Sequence, residues 1–234
     1  MIPLYDNVPT RRFPVMTVAL IALNVVVFIF ELLLPRWGLT QNSLFVRAGA
    51  TPYELLHHID VPPADLVPVW ATMFTAMFLH GGWLHIIFNM LYLWIFGNNV
   101  EDRMGRGRFL AFYLICGVAA VLTQALVDPS STGPIIGASG AIAGVLGAYL
   151  LLYPRARVLI LLIPLLFIFP VILVPAWFVL GAWFLLQYLQ GALSVGGGAD
   201  VAYFAHVGGF IAGLVLVWIF ARDRPRLRRQ AVPE

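Results

Sequence analysis

Long apolar stretches alternate with short polar or Gly- and Pro-rich breaks along the whole chain. A helix needs about 20 apolar residues to cross a bilayer, and six stretches approach that length. We therefore predict an all-α polytopic membrane protein with six transmembrane helices and no separate soluble domain. The predicted helices cover residues 13–34, 82–101, 107–127, 139–153, 176–192 and 201–221.

Two other segments carry many apolar residues but are not predicted to span. Residues 35–78 form the largest polar region, yet part of this external loop should lie in the membrane interface because aromatic side chains favour that depth. Residues 158–174 are apolar but broken by Pro164 and Pro170, and an extra crossing there would reverse the direction of every later helix. The large apolar side chains of the loop are Trp37, Phe45, Tyr53, Leu55, Leu56 and Trp70.

The composition fits this topology, with 61% hydrophobic and only 11% charged residues. We divide the chain into a polar N-terminus (1–12), one membrane domain (13–221) and a basic tail (222–234). The first apolar run is too long for a signal-peptide core and lacks a small-residue cleavage site, so it should remain as a signal anchor. A single cysteine, Cys116, allows no intrachain disulfide and no cysteine metal cluster.

The net charge of +3 comes from 14 Arg and no Lys. With six spanning helices, twelve of these Arg fall on one side of the membrane and only Arg36 and Arg47 on the other. Positive charge favours the cytoplasmic side, so both termini should be cytoplasmic, in a cell (inner) membrane. The basic tail is then a topology anchor beside anionic lipid, and nucleic acid is not an expected partner.

A potential nucleophile and a potential base each begin a predicted helix. Ser139 lies in GASG at 137–140, and His206 in AHVGG at 205–209. The next Arg, Arg155 or Arg222, is 16 residues downstream in both cases (155 − 139 and 222 − 206). At about 1.5 Å per residue, both side chains lie roughly 24 Å from the Arg-rich face of an apolar layer about 30 Å thick. Ser139 and His206 should therefore share one depth, as a catalytic pair on two helices requires.

Polar groups of the second predicted helix reach a similar depth. His85 and Asn89 are four residues apart on one helical face and lie 18 and 14 residues before Arg103. Both can donate hydrogen bonds to an oxyanion, as can the unpaired amide of Ser139 at a helix start. Small residues, GAIAG at 140–144 and GFIAG at 209–213, should let the fourth and sixth helices approach closely. We assign His80 a structural hydrogen bond.

Each of these residues also has a purely structural interpretation. A serine between glycines is commonly a packing residue, a buried histidine can satisfy a carbonyl group, and a membrane Asn often bonds a neighbouring helix. The matched depth on three helices favours catalysis over these separate explanations.

Three other functions fit the sequence less well than an enzyme of this kind. A transporter would place an acidic residue or a broken helix near mid-membrane, and the carboxylates between the first and last predicted helices lie only at helix ends and in loops. A haem or metal site could use His80, His85 and His206, but His80 and His85 are five apart, unlike the zinc-protease pair. A soluble-type hydrolase would need the second glycine of a Gly-x-Ser-x-Gly elbow. We expect no metal and no cofactor.

Four ordered motifs resemble the rhomboid intramembrane serine proteases: HGGWLHIIFNM at 80–90, GNNVED at 97–102, GASG at 137–140 and AHVGGF at 205–210. The resemblance covers nearly the whole chain and implies a rhomboid-like bundle. It implies a Ser139 nucleophile with a His206 base and no acidic third member. It further implies an oxyanion hole from His85, Asn89 and the Ser139 amide, and peptide hydrolysis in single-pass membrane proteins. Structural support would come from Glu101, His80, Gly137, Gly140 and Gly209.

Two positions depart from the family pattern. The external loop often carries Trp-Arg before the second helix, whereas Trp70 here precedes Ala71, so anchoring of the loop should differ. An aromatic residue often stacks under the histidine from four residues after the serine, and that position is Ala143. The orientation of His206 is then expected to depend on other packing, such as Tyr203 or Phe204.

Overall fold

The protein is mainly helical in its computed structural model, which describes residues 2–162, 171–194 and 201–221. A π-helical turn, Leu93–Gly97, joins α5 to α6, and short 3₁₀ turns follow α1 and α4 at Leu34–Trp37 and Ala76–Phe78. The helices are α1 Val15–Leu33, α2 Gln41–Ala48, α3 Pro52–His57, α4 Val69–Thr75, α5 Trp83–Tyr92, α6 Asn98–Met104, α7 Arg106–Val127, α8 Ser139–Leu152, α9 Ala176–Ser194 and α10 Tyr203–Phe220.

Each of the six predicted spanning helices has a counterpart, namely α1, α5 with α6, α7, α8, α9 and α10. By length and composition, α1 with its 3₁₀ turn, α7, α9 and α10 can each cross a bilayer. Residues Val69–Phe78 and Trp83–Met104 form a further apolar pair bent by 84°. With 14 residues, α8 is shorter, about 21 Å at 1.5 Å per residue. The prediction of a polytopic helical bundle is confirmed.

A three-stranded antiparallel sheet was not foreseen from the sequence. Its strands are β1 Ile2–Asp6, β2 Arg157–Leu161 and β3 Val171–Pro175, in the order β1-β2-β3. The apolar segment 158–174 thus begins and ends in strands, while 163–170 lies outside the described residues. The N-terminal segment is also packed, because the buried Asp6 carboxylate accepts hydrogen bonds from Asn99 and Tyr149.

The loop between α1 and α5 contains three short helices, α2 to α4. Helix α3 packs on α7, and an isolated antiparallel bridge joins Ala50 to Ile135, four residues before Ser139. Trp37 and Trp70 are 61% and 64% exposed. The loop is therefore tied directly to the segment that leads into α8.

The core centres on α8, in which residues 140–149 are all buried. Close packing of α8 against α10 depends on glycine: a Cβ at Gly209 would overlap the carbonyl oxygen of Gly140, and a Cβ at Gly213 would overlap that of Gly144. The predicted close approach of these two helices is confirmed. It places the beginning of α8 beside the first turn of α10.

Candidate active site

Ser139 is the first residue of α8, where a tight backbone turn presents its side chain. Gly137 makes the turn with φ 113°, a conformation that favours glycine, and donates a 2.8 Å backbone hydrogen bond to Ala76. A Cβ at Gly137 would lie 2.6 Å from Nε2 of His85 and 3.7 Å from Oγ of Ser139. Glycine at 137 therefore brings the backbone close to both side chains.

His206 lies in the first turn of α10, and that turn is held by α7. The side-chain oxygen of Gln124 accepts hydrogen bonds from the amides of Phe204 (3.1 Å) and Ala205 (3.3 Å). The first amides of a helix lack the usual intrahelical acceptor. Gln124 accepts from the Phe204 amide and shares the Ala205 amide with the Ala202 carbonyl (3.1 Å), which ties the start of α10 to α7. The sequence analysis missed this residue.

The structure brings Ser139 and His206 together. Nε2 of His206 lies 2.8 Å from Oγ of Ser139, a hydrogen-bond distance. The other ring nitrogen, Nδ1, lies 2.6 Å from Oε1 of Gln187 on α9. Both ring nitrogens of His206 therefore lie within hydrogen-bond distance of protein side chains.

A correction concerns what orients His206. Besides the Gln187 contact, the ring of Trp183 on α9 lies 5.9 Å from the His206 ring, tilted by 35°. Tyr203 and Phe204 instead pack near Gly191, where an added Cβ would contact both. The sequence analysis expected Tyr203 or Phe204 to orient His206. The contacts that orient the ring come instead from Gln187 and Trp183 of α9. Gln187 and Trp183 were not among the predicted site residues.

His85 and Asn89, both on α5, face the same cavity as the Ser–His pair. Nδ1 of His85 accepts a 3.3 Å hydrogen bond from the Gly81 amide, so the ring proton is on Nε2, the atom that lies nearest to the position of a Cβ added at Gly137. Asn89 donates one Nδ2 proton to the His85 carbonyl at 2.9 Å, and its second proton stays available. The cavity measures about 1070 Å³ and is lined by all four side chains.

His80 is fully buried just before α5 and stands behind His85. Its amide donates to Oε1 of Glu31 at 3.1 Å, its Nδ1 lies 3.2 Å from the Phe78 carbonyl, and its ring centroid is 5.1 Å from that of His85. His80 therefore contacts the Glu31 carboxylate, the Phe78 carbonyl and the His85 ring. Among the described residues, no hydrogen bond joins His80 to Ser139.

Glu101 lies at the opposite end of the bundle, on α6. Its carboxylate accepts hydrogen bonds from the Met16 amide (3.0 Å) and from the amide and hydroxyl of Thr17 (both 2.8 Å). These are the first-turn amides of α1, so Glu101 caps that helix from a buried position. Glycines 140 and 209 meet at the α8–α10 contact, below the Ser–His pair.

Comparison with known proteins places this architecture in one family. The Rhomboid domain matches residues 68–223. The chain is 31% identical over 222 residues to "Rhomboid protein 1, mitochondrial" of Saccharomyces cerevisiae, covering 90% of this chain and 55% of that protein. It is 36% identical over 137 residues to "Rhomboid protease GluP" of Bacillus subtilis, covering 58% and 24%.

A third relative, "Putative rhomboid protease YdcA" of Bacillus subtilis, is 30% identical over 141 residues, or 60% of this chain and 63% of that protein. The chain thus spans between a quarter and two thirds of the length of these relatives. The domain match covers most of the chain and includes every motif around the cavity. The chain is a multi-pass membrane protein of the rhomboid family.

Proposed function

We propose that the protein is an intramembrane serine endopeptidase that uses a Ser139–His206 dyad. The observation that carries this proposal is the 2.8 Å contact between Oγ of Ser139 and Nε2 of His206, which lies in a cavity within a bundle of apolar helices. A serine hydroxyl is a poor nucleophile unless a base can take its proton. The names of relatives such as "Rhomboid protease GluP" support the same activity.

The geometry supports a two-step acyl transfer. Oγ of Ser139 attacks the substrate carbonyl carbon while Nε2 of His206 takes the hydroxyl proton. The resulting oxyanion would accept hydrogen bonds from Nε2 of His85, Nδ2 of Asn89 and the Ser139 amide. His206 then gives its proton to the leaving amine as the peptide C–N bond breaks, leaving an acyl-serine. Water, deprotonated by His206, hydrolyses the ester and restores Ser139.

The lining of the cavity supports a peptide substrate. Phe88 and Tyr92 of α5 and Trp183 and Gln187 of α9 all line the cavity that holds Ser139 and His206. We propose single-pass membrane proteins as substrates. The carbonyl groups of an intact helix are hydrogen-bonded internally, so the scissile segment must unwind before attack.

Substrate helix stability gives a test of this class. Ser139 should lie roughly 6 Å below the external surface of an apolar layer about 30 Å thick, so cleavage should occur near the external end, with a small residue such as Ala before the bond, as the family resemblance implies. Gly or Pro a few residues into a test helix should speed cleavage, and Leu at the same sites should slow it. Equal cleavage of both helices, or a cut at the cytoplasmic end, would contradict the substrate model.

We also propose a cell (inner) membrane location with both termini cytoplasmic, one membrane domain at 13–221 and a basic tail at 222–234. The excess of Arg on one side supports this orientation. In a Cys116→Ala background, a cysteine at Thr132 should react with an impermeant thiol reagent in intact cells, and one at Gly107 should not. The reverse labelling would overturn the orientation without affecting the chemistry.

A fluorophosphonate label tests the enzyme class directly. Purified protein should retain the label on Ser139, and the Ser139→Ala and His206→Ala variants should not. A channel or transporter would not react. Labelling that persists in Ser139→Ala would exclude Ser139 as the nucleophile.

A further inference from the structure

The side chain of Gln187 completes a hydrogen-bonded series with the proposed dyad, on which this inference rests. Three helices contribute: Ser139 from α8, His206 from α10 and Gln187 from α9. The two contacts measure 2.8 Å and 2.6 Å and involve different ring nitrogens. We propose that Gln187 is a positioning residue that selects the reactive form of His206.

The selection follows from hydrogen-bond chemistry. A neutral imidazole carries one proton, on either Nδ1 or Nε2. The amide oxygen of Gln187 can only accept, so its contact requires the proton on Nδ1. Nε2 then has a lone pair directed at the Ser139 hydroxyl, which is the state needed for a general base. With the proton on Nε2, His206 would donate to Ser139 and could not take its proton.

Helix α9 also restrains the ring from a second position. Trp183 lies one helical turn before Gln187, on the same face of α9, and its ring packs near that of His206. Rotation of the imidazole would break the hydrogen bonds at both nitrogens. The ring plane and the proton position are therefore both set from one face of α9.

The choice of an amide has a consequence for pH dependence. Within the part of the chain that the structure describes, the hydrogen-bond partners of His206 are Gln187 and Ser139, neither of them a carboxylate. A carboxylate would orient the ring and also stabilise its protonated form. The titratable neighbour of His206 on α5 is the His85 imidazole, and the Gln187 amide orients the His206 ring without adding a negative charge. A Gln in this role parallels the Asn of papain-like Cys-His-Asn sites.

Two substitutions separate orientation from charge. Gln187→Met keeps the side-chain length but removes the acceptor, and kcat should fall about 10- to 100-fold with little change in KM, because the ring loses its fixed geometry. Gln187→Glu keeps an acceptor, so it should retain more activity than Gln187→Met above the acidic limb. Its added charge should move the acidic limb of the pH–kcat profile to higher pH.

Gln190→Met on the same helix is the matched control, because Gln190 is exposed and its side chain has no contact with His206 among the described residues. It should leave kcat and the pH profile unchanged. All variants are compared as full-length protein in detergent with one transmembrane substrate, and their unfolding midpoints are measured in parallel.

Wild-type kcat and an unshifted profile in both Gln187 variants would overturn the positioning role. A kcat loss in Gln187→Met that Gln187→Glu does not relieve, with no shift of the acidic limb, would also overturn it, because it would indicate packing alone. Ser139→Ala distinguishes the two levels of the proposal. If Ser139→Ala remains active, the proposed function fails; if it is inactive while Gln187→Met is fully active, only this inference fails.

Discussion

The contact between α8 and α10 gives the most demanding structural prediction. We expect Gly209→Ala to weaken both folding and catalysis. A Cβ at this position would overlap the carbonyl oxygen of Gly140 and lie 3.0 Å from its carbonyl carbon. Neither atom can turn aside, because both belong to the backbone of a buried helix.

The size of the effect follows from the required movement. The overlap with the Gly140 carbonyl oxygen is tighter than the contact with the carbonyl carbon, so α8 and α10 must separate locally by about 1 Å or more to restore ordinary van der Waals distances. Overpacking of this kind typically costs about 1–3 kcal/mol. The same movement lengthens the 2.8 Å contact between Ser139 and His206, and a misplacement of about 1 Å can lower a catalytic rate about 100-fold.

Gly181→Ala is the matched control, because a Cβ at Gly181 in α9 meets nothing within 4 Å among the described residues. It should be neutral or stabilising, since Ala favours a helix over Gly by about 1 kcal/mol. Unfolding in mixed micelles and the rate of fluorophosphonate labelling are measured for both variants. If Gly209→Ala matched Gly181→Ala in both assays, the inferred close helix contact would be refuted.

Three smaller predictions concern single polar groups. Asn89→Ala should lower kcat about 10- to 1000-fold while leaving measurable activity, because one oxyanion donor is typically worth about 3 kcal/mol; full activity would remove Asn89 from the site. Glu101→Gln should lower the free energy of unfolding by about 1–3 kcal/mol, because it loses an acceptor for buried donors of α1; an unchanged unfolding curve would contradict this. Burial and the nearby carboxylates of Glu54 and Asp60 raise the pKa of Asp65 to about 6, so the folded loop favours the protonated acid and should lose stability as pH rises from about 4 to 6. The Asp65→Asn variant cannot ionise and should show a smaller fall in Tm over that range; an equal fall would contradict the assignment.

The helices and their closest contact could be predicted because both depend on local sequence. Apolar length indicated α1, α7, α9 and α10 to within a few residues, and small residues indicated the α8–α10 contact. The Ser–His pair followed from depth, which is a simple function of residue number in a spanning helix.

The sheet could not be predicted in the same way. A short apolar run does not distinguish strand from helix, and β1 pairs with a strand far along the chain, Ile2 facing Leu161 (161 − 2 = 159 residues apart). Nothing in the local sequence of either segment specifies that partner.

Gln124 and Gln187 were missed although a signal existed. Each is a polar side chain within an apolar predicted helix, and such residues commonly face the interior of a bundle. The sequence does not show how α7 and α9 are rotated about their axes, and this rotation decides whether a side chain faces His206 or lipid. That rotation depends on tertiary packing.

The central claim is that Ser139 and His206 act as one catalytic unit. Its most direct test compares kcat for cleavage of a transmembrane substrate by Ser139→Ala, His206→Ala and the double variant. Residues that act together are non-additive, so the double variant should be no slower than the slower single variant. Strictly additive losses, in which the double variant loses the product of the two single factors, would contradict the account.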